Sequence, residues 1–121
     1  MLTTVSPTNF FNPADFGPVI EIAPGVRTRP LARGSLMLSL VELDEGGVSP
    51  LHSHPEEQMG LILEGSFERQ QGDEVRVLNE GDGFYVPPNV EHGGRALGGP
   101  CRILDVFTPP RKRYLPGEEA R

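Results

Sequence analysis

With 15 glycines and 13 prolines among 121 residues, the chain places helix-breaking residues at nearly a quarter of its positions, which excludes a helical bundle and suits a compact β-protein with many turns. The length and an apolar fraction of 36% fit one domain with a single lean core. A net charge of −6 argues against nucleic acid and anionic lipid as partners, and an anionic small molecule would need positive charge gathered locally.

Residues 1–18, with Pro7, Asn9, Asn12, Pro13, Gly17 and Pro18, read as an irregular N-terminal arm. Its aromatics Phe10, Phe11 and Phe16 are expected to dock on the core or on a partner. The first ten residues carry neither the basic nor the apolar region of a secretion signal, and no apolar run reaches membrane-spanning length. A cytoplasmic location without membrane contact is therefore expected. Cys101 is the only cysteine, which rules out an intrachain disulfide and a thiolate zinc cluster and fits a reducing compartment.

From residue 19 to 110, short apolar stretches alternate with turn signals, the pattern of a sandwich or barrel. The expected strands are 19–22, 26–31, 36–43, 58–63, 66–71, 74–78, 83–86, 92–97 and 101–108. Gly46-Gly47, Glu64-Gly65, Gly72-Asp73, Glu80-Gly81-Asp82, Pro87-Pro88-Asn89 and Gly98-Gly99-Pro100 punctuate them. Segments 36–43 and 58–63 are apolar on both faces, so one face is expected to line a barrel interior and the other to meet a partner sheet or subunit. This predicts a homodimer. Residues 111–121 form a charged tail in which Tyr114 and Leu115 are the docking residues.

The chemistry concentrates around the three histidines, His52, His54 and His92. On a strand, His52 and His54 share a face and can both enter a barrel, whereas on a helix they would diverge by about 200°. The strand reading makes them a metal pair, since neutral imidazole suits divalent first-row metals. His92 follows the stiff corner Pro87-Pro88-Asn89. On the last strand, alternation puts Ile103, Asp105 and Phe107 on one face and Leu104 and Val106 on the other. A carboxylate between Ile and Phe on an inward face would have a raised pKa, useful for proton transfer. Arg111, aimed by Pro109 and Pro110, could close over the barrel mouth and grip a carboxylate bidentately.

Gly46, His52, His54, Gln58 and Gly65, followed by Gly81, Pro87 and His92, resemble the two sequence motifs of the cupins, in the same order. Asn89 stands where the second motif has glycine, and tolerates the left-handed conformation required there; Ala96 replaces its final asparagine. The resemblance implies an all-β, single-domain double-stranded β-helix, or jelly-roll barrel. It also implies a divalent transition metal, one of Ni, Zn, Mn, Fe or Cu, held by His52, His54, Gln58 and His92. Many cupins have Glu at the Gln58 position; an amide oxygen coordinates without charge and leaves the metal its full positive charge. Glu56 and Glu57 are read as a solvated loop edge.

The stretch from Leu104 to Arg111, with His-Ser-His-Pro-Glu-Glu-Gln, further resembles the pectin- and alginate-degradation cupins that convert 4,5-unsaturated monouronates to linear ketouronates. That resemblance implies catalytic roles for Asp105, Phe107 and Arg111. Two other functions compete with ring opening of an anionic small-molecule substrate: an Fe or Cu dioxygenase of the quercetinase or diketone-cleaving kind, and a non-catalytic sugar- or metal-binding cupin. Arg27, Arg29 and Arg95 are expected to be solvated or ion-paired, Tyr85 to pack in the core or a dimer, and Cys101 to be a packed thiol.

Overall fold

Turn residues divide the chain into eight strands in a computed structural model that describes residues 9–116: β1 Ile20–Ala23, β2 Val26–Arg33, β3 Leu36–Leu43, β4 Val48–His52, β5 Glu57–Gln71, β6 Glu74–Leu78, β7 Gly83–Val86 and β8 His92–Thr108. Short 3-10 turns at Pro13–Asp15 and Lys112–Tyr114 flank them. Every pairing is antiparallel, in the order β1-β2-β3-β8-β5-β6, with β4 on β8 and β7 on β5. Among the described residues no helix is long and apolar enough to cross a membrane.

The strands differ from the sequence expectation in two informative places. β4 contains Pro50, which removes a ladder donor, and β4 is tolerated because it pairs on one side only, with β8. Segments 58–63 and 66–71 are one strand, β5, and 92–97 and 101–108 are one strand, β8. Glu64-Gly65 and Gly98-Gly99 are therefore bulges in a continuous ladder, not turns: the register shifts between Ile62, Glu64 and Ser66. Gly65, at φ 83°, has no alternative, because a Cβ there would lie 2.3 Å from the Pro100 carbonyl oxygen.

The bulge changes which residues face inward. Before it, Gln58 and Ile62 are buried; after it, Phe67 and Arg69 are. Val26, Val41, Leu43, Ile62, Phe67, Ala96, Cys101 and Ile103 form the main core, and Met37, Phe107 and Tyr114 form a second cluster at the end where the chain leaves β8. Between β2 and β3 the buried hydroxyls of Thr28 and Ser39 hydrogen-bond to each other, so neither is left unpaired in the interior.

Phe10 and Phe11 of the arm do not dock on the core. Phe10 and Phe11 are 88% and 45% exposed, and Phe16 is only half-buried against the edge of Phe11. Instead, Arg29 anchors the backbone by donating to the carbonyls of Pro13 at 2.8 Å and Phe16 at 2.7 Å. Residues 1–8 of the arm and 117–121 of the tail lie outside the described residues. The described part of the tail does dock as expected: Tyr114 is buried and Leu115 packs beside it.

Gly60, near the start of β5, is required for packing rather than for backbone freedom. A Cβ there would meet Phe84 Cζ at 2.1 Å and Asp105 Oδ1 at 2.6 Å. Gly60→Ala is expected to cost about 1–3 kcal/mol through overpacking. Urea titration should show a lower midpoint at unchanged slope; an unchanged midpoint would mean that ring and carboxylate yield freely.

Candidate metal centre

The three imidazoles converge from different elements. His52 ends β4 and pairs directly with His92, which begins β8, and their ring centroids are 4.3 Å apart. His54 does not lie on the strand, contrary to the shared-face expectation; it sits in the loop between β4 and β5. Its position is set by Asn89, whose backbone N–H donates to the His54 carbonyl at 2.8 Å from a left-handed conformation with φ 66°. The ring centroid of His54 is 4.9 Å from that of His92 and 5.6 Å from that of His52.

Each ring gives its Nδ1 proton to a backbone carbonyl: His52 to Pro50 at 2.7 Å, His54 to Glu56 at 3.0 Å and His92 to Val90 at 2.7 Å. This leaves the three Nε2 atoms as lone-pair acceptors. Burial lowers all three pKa values, to about 4 for His52 and about 3 for His92, so the rings are neutral at physiological pH. The buried Nε2 of His92 has no hydrogen-bond partner.

Gln58 completes the set. Its amide also hydrogen-bonds Asp105, which requires the NH₂ to face the carboxylate and turns Oε1 toward His54. Oε1 lies 3.0 Å from His54 Nε2. Two lone-pair atoms facing each other at that distance repel unless a cation lies against both, and about 3 Å is the spacing of adjacent ligands with bonds of about 2.1 Å. One ligand atom from each histidine lies within 4.8 Å of the others. An orphaned acceptor, neutral rings and an amide oxygen aimed at the same place are what a divalent metal requires.

Glu56, expected at a solvated edge, is buried. Its Oε1 is 3.6 Å from His54 Nδ1 and its Oε2 accepts from the Lys112 backbone N–H at 3.3 Å. It thus supports the side of the imidazole opposite Nε2, and the candidate ligand set remains four neutral donors.

Asp105, Phe107 and Arg111 are all buried. Burial raises Asp105 to about 6, opposed by the Gln58 hydrogen bond and by the charges of Arg69 and Arg111; its Oδ1 has no partner. The Phe107 ring packs edge-on against His54 at 5.5 Å and Tyr114 at 6.0 Å. Arg111 lies 4.7 Å from the Tyr114 ring centroid and donates from Nη1 to the Tyr114 hydroxyl at 2.9 Å.

The remaining singled-out residues lie away from the histidines. Arg27 pairs with Glu42 and Asp44, and Arg95 with Glu68. Tyr85 is half-exposed on the outer face and donates to Glu57 at 2.5 Å, while Cys101 is a core thiol that burial pushes up to about 11. Sequence reasoning missed Arg69, which lines the same cavity as His52, His92 and Asp105. The available signal was its two-residue spacing from Phe67, which puts both on one face.

Residues 39–107 match the family described as Cupin domain. Over 103 residues the chain is 28% identical to the pectin degradation protein KdgF of Dickeya dadantii, an alignment covering 84% of this chain and 94% of that protein. The solved structure of KdgF from a Halomonas species is similar with a TM-score of 0.80 and 31% identity, over 90% of this chain and 100% of that one. An RmlC-like cupin from Shewanella frigidimarina gives a TM-score of 0.80 at 26% identity, over 90% and 97% of the two chains.

Binding of zinc or nickel to the metal-free protein is expected to raise Tm by mass action. In His92→Ala the rise should disappear while the far-ultraviolet β signature persists. Retention of stoichiometric metal by that variant, measured by elemental analysis, would remove His92 from the site.

Proposed function

The chain belongs to the cupin family, and we propose that it is a metal-dependent enzyme that opens and tautomerises a 4,5-unsaturated monouronate. The observation that carries this reading is the delivery of Asp105, Phe107 and Arg111 by one strand end to the histidine cluster. Similarity to the pectin degradation protein KdgF supports the substrate class.

A divalent metal held by His52, His54, Gln58 and His92 would supply Lewis-acid polarisation of a ligand oxygen. Asp105, through its unpartnered Oδ1, takes the proton of the anomeric hydroxyl. The anomeric C–O bond becomes a carbonyl as the ring C–O bond breaks, and the electron pair leaves on the enolic ring oxygen. Returning the proton to the neighbouring alkene carbon gives the ketone. The reaction is an isomerisation and needs no co-reactant. Phe107 forms the apolar wall, and Arg111 holds the sugar carboxylate.

The cavity measures about 40 Å³, room for a few waters, so binding of a monouronate requires lining side chains to move, and this reading assigns that movement to Arg111 and Tyr114 of the closing turn. Tyr114→Phe removes the acceptor of the Arg111 hydrogen bond and should change KM more than Asp105→Asn does. Asp105→Asn is expected to lower turnover of unsaturated galacturonate at least about 100-fold with metal content unchanged, under anaerobic conditions. Full activity in the variant, or no consumption beyond buffer by the wild type, refutes the reading. Four neutral ligands also suit oxygen activation; oxygen consumed in step with substrate would favour a dioxygenase, and binding without product a non-catalytic module.

A homodimer is the second part of the proposal. Met59, Leu61 and Tyr85 are exposed on the outer face of the β5–β7 pair, beside Leu104 and Val106 of β8. This uncharged strip is suited to a second copy of the chain. Light scattering at micromolar concentration should give twice the chain mass, and a monomer mass overturns it.

A further inference from the structure

Arg69 is 7% exposed, and its Nε and Nη2 have no hydrogen-bond partner. These two atoms form the side edge of the guanidinium, whose parallel N–H bonds match the two oxygens of a carboxylate. The other face of the group is already engaged, because Cζ lies 3.9 Å from the Phe84 ring centroid. The side chain is therefore held in place with its bidentate edge free, which is costly in a buried position unless a ligand satisfies it.

No residue of the cavity supplies that partner in this structure. Asp105 is near enough to be felt electrostatically, yet neither Arg69 Nε nor Nη2 hydrogen-bonds to it, and Asp105 Oδ1 is itself unpartnered. The unpaired groups of the cavity are thus two donors on Arg69, one acceptor on Asp105 and one acceptor on His92. Arg69 and Arg111 both line the cavity, Arg69 from β5 and Arg111 from beyond the end of β8. Unlike Arg69, Arg111 already has a protein partner in Tyr114.

We propose that Arg69 is a ligand-binding residue that grips a planar pair of oxygens through Nε and Nη2, giving the cavity a second oxygen-holding group besides Arg111. The ligand class that satisfies these groups together with Arg111 is a polyhydroxy-carboxylate: its carboxylate on Arg111, a second pair of oxygens on Arg69, a hydroxyl proton for Asp105 Oδ1 and an oxygen within reach of a metal at His92. Identification of that ligand as a uronate rests on the function proposed above, whereas anion binding at Arg69 does not.

Two probes separate these claims. In the zinc-loaded full chain labelled with [15N]arginine, the Arg69 Nε–H resonance is assigned by its absence in Arg69→Lys and Arg69→Gln, and sodium acetate and then D-galacturonate are added. Acetate and galacturonate should both shift it. Arg69→Gln should weaken galacturonate binding about 10- to 100-fold, and Arg69→Lys should not restore it, because an ammonium has no bidentate edge. A wild-type resonance that neither probe moves at saturation overturns the inference. A resonance moved by acetate alone supports Arg69 and overturns the uronate reading; galacturonate that binds without moving it overturns Arg69 and leaves the uronate reading standing. Because either variant suffices for the assignment and the shifts are read on the wild type, misfolding of one variant leaves the test intact.

Discussion

The antiparallel ladder between β5 and β8 is the frame on which the site depends. It runs from Glu57 opposite Thr108 to Gln71 opposite His92, and these two strands supply Gln58, Arg69, His92, Asp105 and Phe107. A strand pair fixes its side chains by register, so each of these groups is located by many backbone hydrogen bonds rather than by a loop. Gly60 lies opposite Asp105, and its missing Cβ is what lets Phe84 and the carboxylate approach the same point. The groups contributed from outside the ladder, His52, His54 and Arg111, are fastened to it: His52 by its pairing with His92 and Arg111 by the end of β8.

Electrostatics in the cavity oppose those of the surface. The chain as a whole carries −6, yet the interior holds two guanidiniums and three neutral imidazoles beside two carboxylates: Glu56, next to His54, and Asp105, whose ionisation burial disfavours. Desolvation makes such a site selective, since a cation removed from water binds an anion more strongly than the same cation at the surface. Gln58 links the two halves by orienting its amide: NH₂ to Asp105, Oε1 to the histidines. A glutamate at this position would place a second negative charge beside Asp105 and reduce the charge of a bound metal.

Much of the site is legible in sequence because it depends on short spacings. The alternation of Ile103, Asp105 and Phe107 predicts an inward carboxylate, and the structure buries all three. The histidines stand out as a group, but through a wrong local picture: His54 reaches its place by a turn tied to Asn89, not by strand parity. What escapes depends on contacts between distant segments. Glu56 is buried because the closing turn at Lys112 folds over it, and nothing near Glu56 in sequence announces that turn. β5 and β8 each read as two strands because a glycine in a bulge and a glycine in a hairpin look alike until the partner strand is known. Arg69 escapes for a related reason, since arginine on a barrel strand is usually solvated and only the buried neighbour Phe67 shows which way this one faces.

The closing turn also ties Arg111 to the candidate metal ligands. Arg111 is folded on Tyr114, and the backbone of the adjacent Lys112 donates to Glu56, whose carbonyl receives the His54 Nδ1 proton. Moving Arg111 and Tyr114 outward would therefore strain a chain of contacts that ends at one imidazole of the candidate metal set. A ligand that replaces the Tyr114 hydroxyl with its own oxygens on Arg111 offsets the lost hydrogen bond, whereas a neutral molecule of the same size has no charge to offer the guanidinium.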